Sequence, residues 1–267
     1  MDESKEIVKY HNDLNEITFQ RFSQVDFDFF MVLCSKLKDS GENEVVISFD
    51  EFKRLSKYNP TTSEKRFIRE LKSMNHKQLL STGMIKNGSK IEQFVLFTRF
   101  VIDPDEKTIT AKVNGDYRYI LNEVTRSFTL FELQEFISLE SKYSKTLYRH
   151  LKQFRTTGVY WVSVEDFRRI FGVSKGYSNK LMMQKIITPA VKALREYFHN
   201  LECRTIYEKK PGRPVKAYEF TFDPEQARQL PDFQKGEEPR KPANKFHNFD
   251  QRQDIDYDDL ERKLTGN

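Results

Sequence analysis

The stretch YWVSVEDFRRIFGVSKGYSNKLMMQKIITPAVKALREYF, residues 160–198, decides the fold, because it reads in order as strand, capped helix, turn and second helix. Tyr160, Trp161 and Val162 are aromatic or β-branched and suit a short strand. Ser163 then offers a side-chain oxygen to the free amides of a helix over 164–171, with Asp166 where a capping box places its acid. Residues 172–177, with Gly172 and Gly176, form the turn. From Ser178 to about Phe198, Met182, Met183, Ile186, Ala190, Leu194 and Tyr197 recur at helical spacing as one apolar face. Gln184, Lys185, Lys192 and Arg195 fall mostly opposite. Pro189 has no amide for the carbonyl of Lys185 and biases Thr188 away from helical angles, so a kink is expected there. Downstream, strands at 204–207 and 217–222 flank Lys209, Lys210, Pro211, Gly212, Arg213, Pro214 and Lys216. That order of elements is a winged helix, and the basic loop is its wing.

Upstream, the chain repeats the same opening. VVISFDEFKRL, residues 45–55, aligns without gaps on YWVSVEDFRRI, residues 160–170. The matches are chemical: a strand, a Ser cap, two acids in the first turn where the helix dipole favours them, a core Phe, then basic residues. Asn59 and Pro60 supply the turn, and Thr61 or Thr62 caps a helix to about Asn75 whose Phe67, Leu71 and Met74 form an apolar stripe. Strands are expected at 79–85, 93–102 and 108–113, and before the repeat Phe29, Phe30, Leu33 and Leu37 fit one face of a helix over 25–38. The fold class is therefore α+β, two tandem winged-helix domains with a disordered C-terminal tail. The expected boundaries are an arm at 1–20, domains at 21–113 and 128–223 with a junction at 114–127, and a tail from 224 that contains Pro224, Pro231, Pro239 and Pro242.

A formal charge of +5 is only mildly basic, so an anionic partner has to be met by a local patch. Over 179–222, Lys and Arg outnumber acids. The early residues of a winged helix's third helix face base edges in the major groove, which selects Ser178, Asn179, Lys180, Gln184 and Lys185. Lys209, Lys210, Arg213 and Lys216 of the wing suit flanking phosphates, and Lys65, Arg69 and Lys72 are their counterparts in the first domain. On a helix over 142–155, Lys142, Lys145, Arg149 and Lys152 recur at three- and four-residue steps with no acid between them. That stripe reads either as a solvated face or as a DNA-backbone contact.

Other chemistries find no support. His11, His76, His150, His199 and His247 are scattered, Cys34 and Cys203 are far apart, and neither a paired-histidine metal site nor a phosphate-binding G-x-x-x-x-G-K-[ST] loop occurs. No metal, cofactor or catalytic residue is expected, and the absence of a signal-peptide pattern or long apolar run points to the cytoplasm. A DNA-binding protein is the first reading, with a transcriptional regulator or a DNA-nicking enzyme as alternatives.

The chain resembles the initiator replication proteins of theta-replicating, iteron-containing plasmids of Gram-positive type. The resemblance covers residues 7–224. It rests on LESKYSKTLYRHLK at 139–152, IITPAV at 186–191, and GRPV at 212–215 followed by YEFTF at 218–222. It implies binding to direct repeats in origin DNA, opening of the adjacent duplex, recruitment of host replication proteins, and a dimer that represses its own gene beside a monomer that initiates. It also implies major-groove contacts at 178–185 and contacts from the third helix of the first domain. The segment at 245–264 is similar to the ends of some replisome-organising proteins of Gram-positive phages and plasmids. Phe246, Phe249, Arg252, Tyr257 and Leu260 are thereby expected to dock a host helicase, helicase loader or primase.

Overall fold

The computed structural model describes residues 6–80, 83–87 and 90–225. In chain order the first half contains β1 (Ile7–His11), α1 (Asp13–Glu16), α2 (Gln24–Leu37), β2 (Val45–Ser48), α3 (Phe49–Leu55) and α4 (Glu64–Leu80). A hairpin follows, β3 (Gly83–Asn87) and β4 (Lys90–Phe94), and then β5 (Phe97–Asp103) and β6 (Thr108–Val113). A 3-10 segment, Gly115–Ile120, leads into β7 (Phe128–Glu132), α5 (Leu133–Ser138) and α6 (Lys142–Gln153). The second half closes with β8 (Val159–Ser163), α7 (Val164–Phe171), α8 (Asn179–Met182), α9 (Thr188–Leu194), β9 (Glu202–Tyr207) and β10 (Val215–Thr221).

The sequence repeat is a structural repeat. β2 pairs antiparallel with β6, Ser48 opposite Thr108, and β8 pairs antiparallel with β10, Ser163 opposite Ala217. Each strand runs into a Ser cap: Ser48 Oγ accepts from the Glu51 amide at 3.2 Å and Ser163 Oγ from the Asp166 amide at 3.0 Å. Phe52 and Phe167, equivalent in the repeat, are both buried. The two resulting sheets have strand orders β2-β6-β5 and β8-β10-β9.

Three expectations need correction. The described part of the expected arm is not an arm: Ile7–His11 is a strand paired with β7, Val8 opposite Phe131 and Tyr10 opposite Thr129. Val8 and Tyr10 are fully buried, and the sheet they form joins the first residues of the chain to the opening of the second half. α4 continues to Leu80, past the expected end near Asn75, so the strand expected at 79–85 is displaced to Gly83–Asn87, and the one expected at 93–102 is divided between Lys90–Phe94 and Phe97–Asp103. Finally, α2 is buried around its circumference and not on one face, which is what an apolar helix at the centre of a domain requires. Phe29 reaches Phe52 at 5.2 Å and Phe67 at 5.6 Å between ring centres, while Phe30 meets Phe97 at 5.4 Å.

Burying α2 on all sides also buries its acids. Asp26 completes the N-terminal capping box with Ser23 and holds Lys77 of α4 at 2.6 Å. Asp28 faces α6, where Lys145 approaches it at 2.6 Å and also donates to the carbonyl of Phe136 at 2.7 Å. Burial pushes Asp28 up to about 7, against the attraction of Lys145, and pushes Lys145 down against the attraction of Asp28. A few residues along α6, the Arg149 guanidinium lies 4.8 Å over the Phe19 ring and donates to the carbonyl of Leu14 at 3.1 Å and to Asn15 Oδ1 at 3.2 Å.

Removing one member of a buried pair strands the other. Lys145→Met is expected to destabilise the chain by about 3–5 kcal/mol near neutral pH, whereas Asp28→Leu with Lys145→Met recovers most of that loss. Burial already raises Asp28 to about 7 in the parent, and losing the attraction of Lys145 raises it further, so between the two values the folded single variant keeps a proton that the folded parent has released. Its deficit therefore shrinks on acidification from about pH 8 to pH 5. Urea melts of the three proteins at both pH values check the sign and the order.

Candidate nucleic-acid interface

The third helix of the second domain begins at Ser178, whose hydroxyl oxygen caps it by accepting from the Leu181 amide at 3.2 Å. α8 passes through a π turn, Met183–Ile187, into α9, which carries Pro189 in its first turn. Thr188 keeps right-handed helical angles, φ −59° and ψ −47°, so it is not displaced as expected. The wider turn lies just ahead of the proline, where a regular helix would need its missing amide. The helix stops at Leu194, short of the expected Phe198. Met182, Ile186 and Ala190 point into the core, and Ser178, Lys180, Gln184 and Lys185 are exposed.

Arg168 of α7 was not among the expected site residues, yet it holds this helix in place. Its guanidinium donates to the carbonyls of Ser174 at 3.0 Å and Tyr177 at 2.6 Å and to Asn179 Oδ1 at 3.3 Å. Asn179 is thereby half-buried and engaged within the protein. Spacing alone shows Arg168 only as one of the basic residues after Phe167, and the turn geometry is what gives it a task.

The wing is a tight loop between β9 and β10. The Glu208 amide donates to the Pro214 carbonyl at 2.9 Å, and Gly212 sits at φ +78°, a conformation that favours glycine. Lys209, Lys210, Arg213 and Lys216 are all exposed there. Lys210 is paired with Glu208 at 2.8 Å, and the Arg213 guanidinium lies 5.3 Å over the Tyr207 ring. In the first domain Phe67, Leu71 and Met74 turn inward, and Lys65, Arg69 and Lys72 line an open outward face of α4 with Ser63 and Arg66.

The basic stripe on α6 is where the structure departs most from expectation. Lys145 is 0% exposed, Arg149 1% and Lys152 9%, and only Lys142 reaches partly into solvent. Lys152 pairs with Glu225 at 2.8 Å and Glu135 at 3.6 Å. These three side chains therefore have neither the exposure nor the free valence for a DNA backbone. His150, on the same helix, stacks on Tyr160 at 5.2 Å, and burial, followed by the charge of Arg149, lowers its pKa to about 3. Phe246, Phe249, Arg252, Tyr257 and Leu260 lie outside the described residues.

Two winged helices in one compact unit, each turning a basic face of its third helix to solvent, define a tandem winged-helix DNA-binding protein. Family models described as "Initiator Replication protein, WH1" and "Initiator Rep protein, WH2" match residues 7–152 and 163–222. The chain belongs to this family of replication initiators. A curated relative, the "Probable replication protein rep" of Bifidobacterium longum (strain NCC 2705), is 33% identical over 221 residues, covering 82% of this chain and 73% of the relative. Among solved structures, the Pi initiator protein, crystallised in complex with iteron DNA, shares the fold with a TM-score of 0.61 at 15% identity, over 84% of this chain and 99% of that one. No helix among the described residues is long and apolar enough to cross a membrane.

Exposed charge and buried charge separate in a salt series. Lys209→Ala is expected to lower the slope of log K against log salt by about one, and Lys210→Ala by less, because Glu208 already neutralises part of its charge. Arg149→Leu is expected to leave the slope unchanged while lowering thermal stability. Fluorescence anisotropy between low and physiological salt, with melting curves of each variant, checks both halves.

Proposed function

We propose that this chain initiates replication of a theta-type plasmid by binding direct repeats at the origin, and that it does so without catalysis. The carrying observation is the pair of exposed basic helix faces, around Lys65, Arg69 and Lys72 and around Lys180, Gln184 and Lys185, held in one compact body by a buried seam. Membership of the initiator family supports the reading, as does the fold shared with a protein crystallised on iteron DNA. In this reading the helix faces enter successive major-groove segments and the wing grips the flanking phosphates. Bound copies then strain and open the adjacent duplex in the cytoplasm. The segment at 245–264 recruits a host helicase, helicase loader or primase, and a dimeric form represses the chain's own gene.

Footprinting on the plasmid's own DNA across a salt series tests the reading. Protection of evenly phased direct repeats is expected; a single inverted repeat would favour a transcriptional regulator, and a covalent adduct on supercoiled origin DNA with divalent metal would favour a nicking enzyme. Within a repeat, Gln184→Ala and Lys185→Ala are expected to change preference among sites, whereas Lys209→Ala weakens binding to all sequences alike.

A further inference from the structure

The exposed face of the third helix in the second domain is not uniformly polar. Leu181 is 40% exposed in its first turn. It has no part in the apolar face that docks the helix, because the neighbouring Met182 takes the core position at 0% exposure. Counting along the helix, Gln184, Lys185 and Thr188 follow Leu181 by three, four and seven residues, and all three are exposed. Leu181 thus shares the exposed face whose polar members suit base edges. Tyr177, 41% exposed, precedes it by four residues, and the Arg168 bond to the Tyr177 carbonyl fixes that end of the turn.

Leu181 keeps 40% of its surface open to water on the side of the helix where Gln184 and Lys185 are also exposed, a cost that an apolar partner would remove. The major groove offers one apolar group on its base edges, the C5-methyl of thymine. We propose that Leu181 is a specificity-determining residue that packs on a thymine methyl within the recognised repeat, next to the bases read by Gln184 and Lys185. The inference rests on the origin-binding reading and deepens it, since it names one base that the repeat has to contain.

The test removes the methyl from the DNA and the leucine from the protein separately. The probe is a fluorescent duplex carrying one repeat taken from the footprint, with each thymidine in turn replaced by deoxyuridine, which differs from it only by that methyl. The full chain and Leu181→Ala are titrated against every duplex. At one thymine, or two adjacent ones, deoxyuridine is expected to weaken the unaltered protein about fourfold, the factor that burial of one methyl-sized group supplies. Leu181→Ala is expected to bind the thymidine duplex about as weakly, to show no difference between thymidine and deoxyuridine at that position, and to melt at the same temperature as the parent. Leu181→Met, which keeps an apolar side chain, is expected to restore the distinction.

If the repeat is bound specifically but no thymine position has an effect that depends on Leu181, the inference is overturned and the initiator reading stands. If the unmodified repeat is bound no better than unrelated DNA, the initiator reading falls and the inference falls with it.

Discussion

The contact between Lys145 and Asp28 is the constraint on which the rest of the structure depends. It joins residues 117 positions apart in the chain, one on α2 and one on α6, with the lysine wholly buried. Two ions taken out of water recover their desolvation cost only when geometry and additional hydrogen bonds compensate it. Here the carbonyls of Phe136 and Ile137 supply further acceptors to the same ammonium. Arg149, one turn on, repeats the arrangement with Leu14, Asn15 and the rings of Phe19 and Phe27. Such a seam has a narrow optimum. Sliding α6 by one turn along α2 would leave a buried cation facing apolar rings and a buried carboxylate facing nothing, so the contact fixes register more than it adds stability.

Much of the fold was legible because it is written in local chemistry. A Ser cap, acids in the first turn and a core Phe recur after VVI and after YWV, and each mark carries its own mechanism whatever the tertiary setting. The seam was not legible, for an equally physical reason. An acid-free basic stripe on a helix looks the same whether water, phosphate or another part of the protein neutralises it. The acids that answer α6 sit on α2, at Glu135 and at Glu225, all outside the helix that carries the stripe, so no helical spacing rule could bring them together. β1 was missed because only Val8 and Tyr10 alternate toward the core, too short a run to stand out. Even so, those two buried side chains were the signal that the first residues are part of the body.

The recognition segment shows the reverse case, where local chemistry was read correctly and its consequence incorrectly. Pro189 does remove an amide from the helix, but Thr188 stays helical, and the chain widens into a π turn over Met183–Ile187. A π turn carries more residues per turn than an α-helix, so it rotates the residues beyond it relative to those before. Leu181 lies before it and Lys185 inside it, and both stay exposed, so the wider turn does not carry either of them into the core.

Taken together, the seam and the two third helices bear on why direct repeats suit such a chain. The two basic faces are unlike: α4 offers Lys65, Arg69 and Lys72, while the second domain offers Lys180, Leu181, Gln184 and Lys185. A body holding two unlike faces in one fixed relation reads an asymmetric site with a single copy. Asymmetric sites read one copy at a time are naturally arrayed head to tail, each copy in the same orientation. An inverted repeat would instead require two copies related by a dyad, with equivalent faces opposed across it. Under the proposed reading, the buried ion pair therefore does more than dock α6 on α2: by helping to fix the faces in one body, it makes a direct array the natural arrangement of its sites.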